Sequence, residues 1–144
     1  MKILAIDVGR TSGFAFLDGE YLETGELKLQ SLDQYFKFVK DLILKYKPDA
    51  VCSARPTRFA RVIAFQSKLL AIVELTTERA ELPIFELIDS ECKLAVLGKG
   101  VIPKEHIIDY VSKKYNISAL SEHESDAVMF AEFVQIKATP NEEN

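Results

Sequence analysis

Residues 2–9, which have the sequence KILAIDVG, decide how this chain of 144 residues is interpreted. The apolar run from Ile3 to Ile6 predicts a buried strand that ends in an acid, Asp7. A buried strand rarely ends in a carboxylate without a partner, and Gly9 lets the backbone turn close to whatever Asp7 holds. The alternative is a turn-forming aspartate that caps residues 10–12. An Asp-x-Gly pattern alone does not separate the two interpretations.

The segments that follow predict a mixed sheet. Residues 13–17 and 21–29 alternate on either side of an Asp-Gly turn, which predicts a three-stranded antiparallel meander with residues 2–8. Helical spacing predicts a helix over 32–46 with Ser31 as its N-cap. A strand over 49–54, a long apolar helix from Phe59 to about Ala80 and a strand over 82–87 follow. They have the order of a βαβ crossover, which predicts parallel pairing.

Three further helices are predicted over 90–97, 103–115 and from Ser121 to about 136. Glu124 lies three residues after Ser121, as in a capping box. The length and the 48% hydrophobic content fit one domain, placed at 1–137, with a polar flexible tail at 138–144.

The charge balance is 18 basic against 22 acidic residues, a net of −4, which argues against a protein that coats DNA. A local basic face remains compatible with this sum. Cys52 and Cys92 have no metal-ligand spacing and are too few for a disulfide framework, so a reduced, cytoplasmic setting is expected. The sequence shows no signal peptide and no apolar stretch long enough for a membrane span.

Candidate chemical groups also occur late in the chain. His123 and Asp126 are three residues apart, so on a helix they share one face near its N-terminus. The simpler interpretation is that acids there complement the helix dipole or cap the helix. Taken singly, none of these residues establishes a site.

Several segments in order resemble the RuvC-type Holliday-junction resolvases of the ribonuclease-H-like superfamily, from Met1 to about Phe133. The segments are ILAIDVG at 3–9, KPDAVCSA at 47–54, ELPIFE at 81–86, KLAVLGKG at 93–100, Lys104, and HESDA at 123–127. The resemblance implies an α/β fold: a five-stranded mixed sheet, with the first three strands antiparallel and the later ones parallel, and helices on both faces.

The resemblance also implies a homodimeric endonuclease that resolves branched DNA with two Mg²⁺ or Mn²⁺ ions per active site. Carried over, Asp7 bridges the metals, Asp126 binds one of them, and His123 occupies a position where the family has an aspartate or a histidine. Lys93 and Lys104 match family lysines near the scissile phosphate. A solvated face is the alternative for any lysine.

Ala54 departs from the family, which has a catalytic glutamate at this position. Alanine cannot coordinate metal. The chain is therefore either an engineered knockout of an active resolvase or a natural relative that binds junctions without cutting them. Because Asp7, His123 and Asp126 persist, the knockout is the favoured interpretation.

The loop after Ala54 is expected to probe the junction. Arg55 and Arg58 supply cations for phosphate, and Phe59 can stack on a base or be the first core residue of the next helix. Further candidate DNA contacts are Arg61, Lys68 and Lys99, although a solvated face is the simpler interpretation for Lys99.

Two other functions compete with the nuclease. A non-catalytic junction-binding protein predicts binding without cleavage, even after Ala54→Glu. A phosphate-loop domain related to sugar kinases and actin-like ATPases shares the Asp-x-Gly start. The chain lacks a second glycine-rich loop and is short for two lobes, which disfavours that third function. The expected setting is a bacterial cell or a phage-infected host.

Overall fold

The computed structural model describes residues 1–56 and 60–138, with the side chains of residues 60 and 61 excepted. Within them the elements are, in chain order, β1 (Lys2–Asp7), β2 (Thr11–Asp18), β3 (Tyr21–Lys28), α1 (Leu32–Tyr46), β4 (Ala50–Ala54), α2 (Ala60–Arg79), β5 (Ile84–Leu87), α3 (Asp89–Leu97), α4 (Lys104–Tyr115) and α5 (Glu122–Ala138). No helix in this part of the chain is long and apolar enough to cross a membrane.

The strands form one five-stranded sheet with the order β3-β2-β1-β4-β5. β1, β2 and β3 pair antiparallel, as a meander requires. β4 pairs parallel with β1, and β5 pairs parallel with β4. The mixed sheet predicted from the alternating segments and the βαβ order is confirmed.

The sheet is covered on both faces because successive strand residues point in opposite directions. Leu4 and Ile6 of β1 pack against α1 and α2 in one buried cluster. Ile3 and Ala5 lie in the other cluster, with residues of α3, α4 and α5. Cys52 and Cys92 are free thiols buried in this second cluster.

Helix ends follow the capping signals in the sequence. The Gln34 N–H donates to the Ser31 hydroxyl at 3.0 Å, which starts α1 where predicted. At α5, the Glu124 N–H donates to the Ser121 hydroxyl at 3.1 Å, and the Ser121 N–H donates back to the Glu124 carboxylate at 3.2 Å. This reciprocal pair is the predicted capping box. It fixes the first turn of α5.

Several predicted boundaries are shifted by one or two residues. β5 begins at Ile84 rather than at residue 82, since Pro83 has no N–H for the ladder. α3 begins at Asp89 rather than Ser90, because the extended residue Ile88 is its N-cap. α5 includes Ala138, where the flexible tail was predicted to begin; the remainder of that tail, and Phe59, lie outside the described residues.

A buried carboxylate joins α4 to α5. Glu132 is 2% exposed and accepts hydrogen bonds from the hydroxyls of Tyr110 at 2.9 Å and Tyr115 at 2.5 Å. Lys114 lies 3.0 Å from the same carboxylate and supplies its countercharge. A buried charge is tolerated when it is paired and hydrogen-bonded in this way.

α5 crosses β2 at unusually short range, and Gly13 permits it. A Cβ built on Gly13 would lie 2.3 Å from the carbonyl carbon and oxygen of His123. These are backbone atoms at the start of α5, so they cannot rotate away. Gly13 is also the cross-strand partner of Asp7, so the missing side chain brings the first turn of α5 onto the end of β1.

We expect Gly13→Ala to lower the free energy of unfolding by about 3 kcal/mol or more, at the upper end of the cost of overpacking. The measurement is urea denaturation followed by circular dichroism. Gly100→Ala is the matched control, because a Cβ there would meet its nearest atom at an ordinary 3.5 Å. Equal effects of the two substitutions would contradict the close approach at Gly13.

We expect Glu132→Gln to destabilise the fold by about 1–3 kcal/mol, since Lys114 loses its countercharge and a charge-assisted hydrogen bond is lost. Thermal unfolding would measure the change. Glu20→Gln, on the exposed turn between β2 and β3, should leave stability unaltered. A neutral result at Glu132 would show that the network adds nothing to the packing of α4 on α5.

Candidate active site

Asp7 and the first turn of α5 meet at the end of β1. Asp7 has the same strand parity as Ile3 and Ala5, so its side chain points to the face that α5 covers. Its Oδ2 lies 3.2 Å from Nδ1 of His123. Asp126 lies one turn further along the same face of α5.

A cavity of about 420 Å³ opens at this point. Its lining contains all six residues that the sequence suggested for catalysis, although they come from five different elements. These are Asp7, Ala54, Lys93, Lys104, His123 and Asp126.

Ala54 lies beside Asp7 on the neighbouring strand. The parallel register pairs Ile6 with Ser53, so the next residue of each strand is Asp7 and Ala54. Both point to the α5 face, because Ala54 packs on the same cluster as Cys52. A longer acidic side chain at 54 would extend into the cavity, whereas alanine adds no donor atom there.

The acids of the cavity carry unfavourable charge. Burial, and after it the neighbouring Asp7 carboxylate, raises the pKa of Asp126 to about 7. Burial likewise raises the pKa of Asp7, against the lowering effect of its hydrogen bond to His123. That same hydrogen bond is the main cause of the raised pKa of His123. The charged forms of Asp7 and Asp126 are therefore less stable in the cavity than they would be in water.

Two lysines reach the cavity, each paired with an acid. Nζ of Lys93 lies 2.7 Å from Asp89, and this lysine side chain is only 14% exposed. Nζ of Lys104 lies 3.0 Å from Glu122 and is far more exposed. Lys93 is therefore held inside the cavity, while Lys104 lies at its rim.

Sequence reasoning missed two acids of the cavity, Asp89 and Glu122. Asp89 follows β5 almost directly, which is the same signal that singled out Asp7 at the end of β1. Glu122 precedes His123 at the start of α5, and its Oε1 lies 3.6 Å from Nε2 of that histidine. With Asp7 and Asp126, they make four carboxylates around one cavity.

The turn after β1 closes without Asp7. The Gly9 N–H donates to the Ser12 hydroxyl at 3.1 Å, and that hydroxyl donates to the Gly9 carbonyl. Ser12 also lies 2.9 Å from the Tyr35 hydroxyl. The Ser12 hydroxyl therefore closes this turn, while Asp7 contacts His123 and lines the cavity.

The expected DNA contacts are distributed differently. Arg55 lines the cavity and lies 3.5 Å from Glu86, whereas Lys68 and Lys99 are exposed and lie outside the cavity lining. Arg58 and Phe59 lie outside the described residues, as does the side chain of Arg61.

The donor set suits a hard divalent cation, which prefers carboxylate oxygens with an occasional imidazole. Four carboxylates and His123 line the cavity. Burial raises the pKa of Asp7 and of Asp126, so a bound cation would stabilise the charged form of both. In the described part of the chain, no three acidic, histidine or cysteine side chains yet converge as one metal-binding group.

Comparisons with solved structures place the fold among known resolvases. Thermus thermophilus RuvC, solved in complex with a Holliday junction substrate, matches with a TM-score of 0.80, 15% identity and coverage of 96% of each chain. The fowlpox virus resolvase, solved with Holliday junction DNA, matches with a TM-score of 0.66 and 11% identity over 96% of this chain and all of that one. These structures confirm the expected ribonuclease-H-like fold.

Sequence comparison gives the family. No family model matches the chain. A curated relative from Herminiimonas arsenicoxydans, described as a crossover junction endodeoxyribonuclease RuvC, is 31% identical over an alignment 138 positions long. The alignment covers 83% of this chain and 74% of the relative. A second such protein, from Janthinobacterium, is 30% identical with the same coverage. The chain therefore belongs to the RuvC family of crossover junction endodeoxyribonucleases.

Proposed function

We propose that this protein binds four-way or otherwise branched DNA through a metal-dependent phosphodiesterase site, and that Ala54 disables its cleavage step. The observation that supports this most directly is the cavity at the ends of β1 and β4. It collects the acidic, histidine and lysine side chains expected of a nuclease around the one position where a carboxylate is missing.

Asp7, Asp126 and His123 are the proposed metal ligands. Mg²⁺ or Mn²⁺, bound as a pair, would supply Lewis acidity to the attacking water and the leaving oxygen. The protein contributes placement: Asp7 comes from the central strand, while the capping box fixes the turn of α5 that carries His123.

Lys93 and Lys104 are proposed to neutralise and position the phosphate. Lys93 is held in the cavity by Asp89, and Lys104 extends from the rim toward solvent. Arg55, 57% exposed beside the cavity, is placed to contact the DNA backbone. Lys68 and Lys99, together with Arg58, Phe59 and Arg61, are proposed to extend this contact surface.

Cutting two strands of a junction requires two sites, and we propose a homodimer for this reason. The helical face formed by α1 and α2 supports it. Leu70 and Val73 of α2 are buried in the core, but Leu75 is 46% exposed, and Leu44 of α1 is 61% exposed. Apolar surface of this kind is available to a second copy. The proposed location is the cytoplasm of a bacterium or of a phage-infected cell.

Ala54 also supports a second function, that of a junction-binding protein without catalysis. Both functions leave the DNA-facing cations in place, so both predict binding. They differ in whether a carboxylate at 54 is sufficient to restore cutting.

Without added metal, the protein should bind a labelled four-way junction at least about tenfold more tightly than a linear duplex of equal length, a difference of about 1.4 kcal/mol. The affinity should fall steeply as salt rises, because phosphate contacts release counterions. Gel-shift titration in EDTA measures both. Equal affinity for the two DNAs would contradict branched DNA as the ligand.

Ala54→Glu should raise the rate of Mg²⁺-dependent junction cleavage by about 10² or more, which is the scale of a single electrostatic group in catalysis. The product should be paired nicks in opposite strands, resolved on a denaturing gel. The added side chain enters the cavity, so the fold has room for it.

The matched control is Ala54→Gln, which adds the same bulk with no charge. If only the glutamate variant cuts, the protein is a disabled nuclease. Junction binding without cleavage by either variant would favour the non-catalytic binder.

A further inference from the structure

We propose that Asp89 is a metal-binding residue of this site and holds the divalent cation for which Ala54 offers no ligand. This inference rests on the proposed function and deepens it, since it concerns the same cavity. It separates metal binding from cleavage: Ala54 removes the catalytic carboxylate, while Asp89 retains affinity for the ion.

The sheet places Asp89 close to the gap at Ala54. Ala54 pairs with Leu87 across the parallel β4–β5 register, and the Arg55 N–H donates to the Leu87 carbonyl at 2.7 Å. Ile88 keeps an extended backbone with φ −108° and ψ 121°. Asp89 therefore continues on the face of Leu87, which is the face that α5 covers.

Asp89 lines the same cavity as both acids proposed to bind metal. Asp7, Ala54, Asp89 and Asp126 belong to β1, β4, α3 and α5, and all four lie in that lining. Asp89 therefore adds a carboxylate to the space that the missing side chain at Ala54 leaves without one.

Lys93 serves as the present partner of Asp89. Its Nζ lies 2.7 Å from Oδ2 of the aspartate, and the two side chains are 14% and 33% exposed. The Lys93 ammonium group therefore supplies positive charge to Asp89 where a bound cation would supply it. A cation held by Asp89 would leave Lys93 to contact the phosphate.

A purely structural role for Asp89 has two forms, and each has a control in this chain. As an acid in the first turn of α3 it would complement the helix dipole, which exposed Glu91 of the same turn also does. As an i,i+4 partner of a lysine it resembles Asp109, which lies 2.9 Å from Lys113 on α4. Neither Glu91 nor Asp109 lines the cavity.

The experiment is isothermal titration of Mn²⁺ into the full chain without DNA. Asp89→Asn should weaken Mn²⁺ binding about tenfold or more, which is a typical loss when a group that supports a metal site is removed. Glu91→Gln and Asp109→Asn should leave the affinity within about twofold. Thermal unfolding without metal checks that every variant is folded.

A double-mutant cycle with Ala54→Glu makes the test specific to the gap. With glutamate at 54 supplying a ligand, Asp89→Asn should cost less than about threefold in Mn²⁺ affinity, so the two substitutions should be strongly coupled. Equal losses in both backgrounds would show that Asp89 does not compensate for Ala54 and would overturn the proposal.

Two other outcomes would also overturn it: no Mn²⁺ binding by the parent chain, or unchanged Mn²⁺ binding after Asp89→Asn. Junction affinity in EDTA, measured on the same preparations, reports the proposed function separately. If the protein binds the junction but Asp89→Asn does not change Mn²⁺ affinity, only this inference is overturned. If the protein binds no junction, the proposed function is overturned.

Discussion

The close approach of α5 to β2 at Gly13 is the constraint on which the candidate site depends. A side chain at this position would meet the backbone of His123, so its absence sets how near α5 lies to the sheet. Because Gly13 pairs with Asp7, this distance also sets the separation between the acid of β1 and the residues of α5. The capping box at Ser121 and Glu124 then fixes the rotation of the first turn.

The site is assembled against electrostatic repulsion, and the fold has to tolerate that cost. Asp126 lies close enough to Asp7 for burial and charge together to move its pKa to about 7. Such an arrangement is unfavourable by itself, and added positive charge stabilises it. Lys93 and Lys104 supply part of this positive charge. Lys93 lies 2.7 Å from Asp89, and Lys104 lies 3.0 Å from Glu122. By contrast, the buried carboxylate of Glu132 is hydrogen-bonded by two tyrosine hydroxyls and paired with Lys114.

The helices and strands were predicted well because helix caps and strand alternation depend on residues only a few positions apart in the sequence. Ser31 and Ser121 cap the helices they were expected to cap, and the alternating segments form the antiparallel meander. The roles of residues at strand ends were harder to predict. Asp89 gave the same signal as Asp7, an acid just after an apolar strand, but its role depends on the β4–β5 register, which brings it to the face of α5. No spacing in the sequence encodes that register.

A site of this kind should be judged by its cavity rather than by one aligned position. Ala54 ends β4, and Asp89 begins α3 two residues after the end of β5, the neighbouring parallel strand. Both residues line the same cavity. A carboxylate can therefore reach this space after either strand without a change of fold. What differs is reach: a side chain at 54 starts beside Asp7, whereas Asp89 approaches from one strand further out. Catalysis requires ligands placed to within a fraction of an ångström, while ion binding tolerates more. A shift of the acid from one strand to the next would on this reasoning retain metal while losing cleavage.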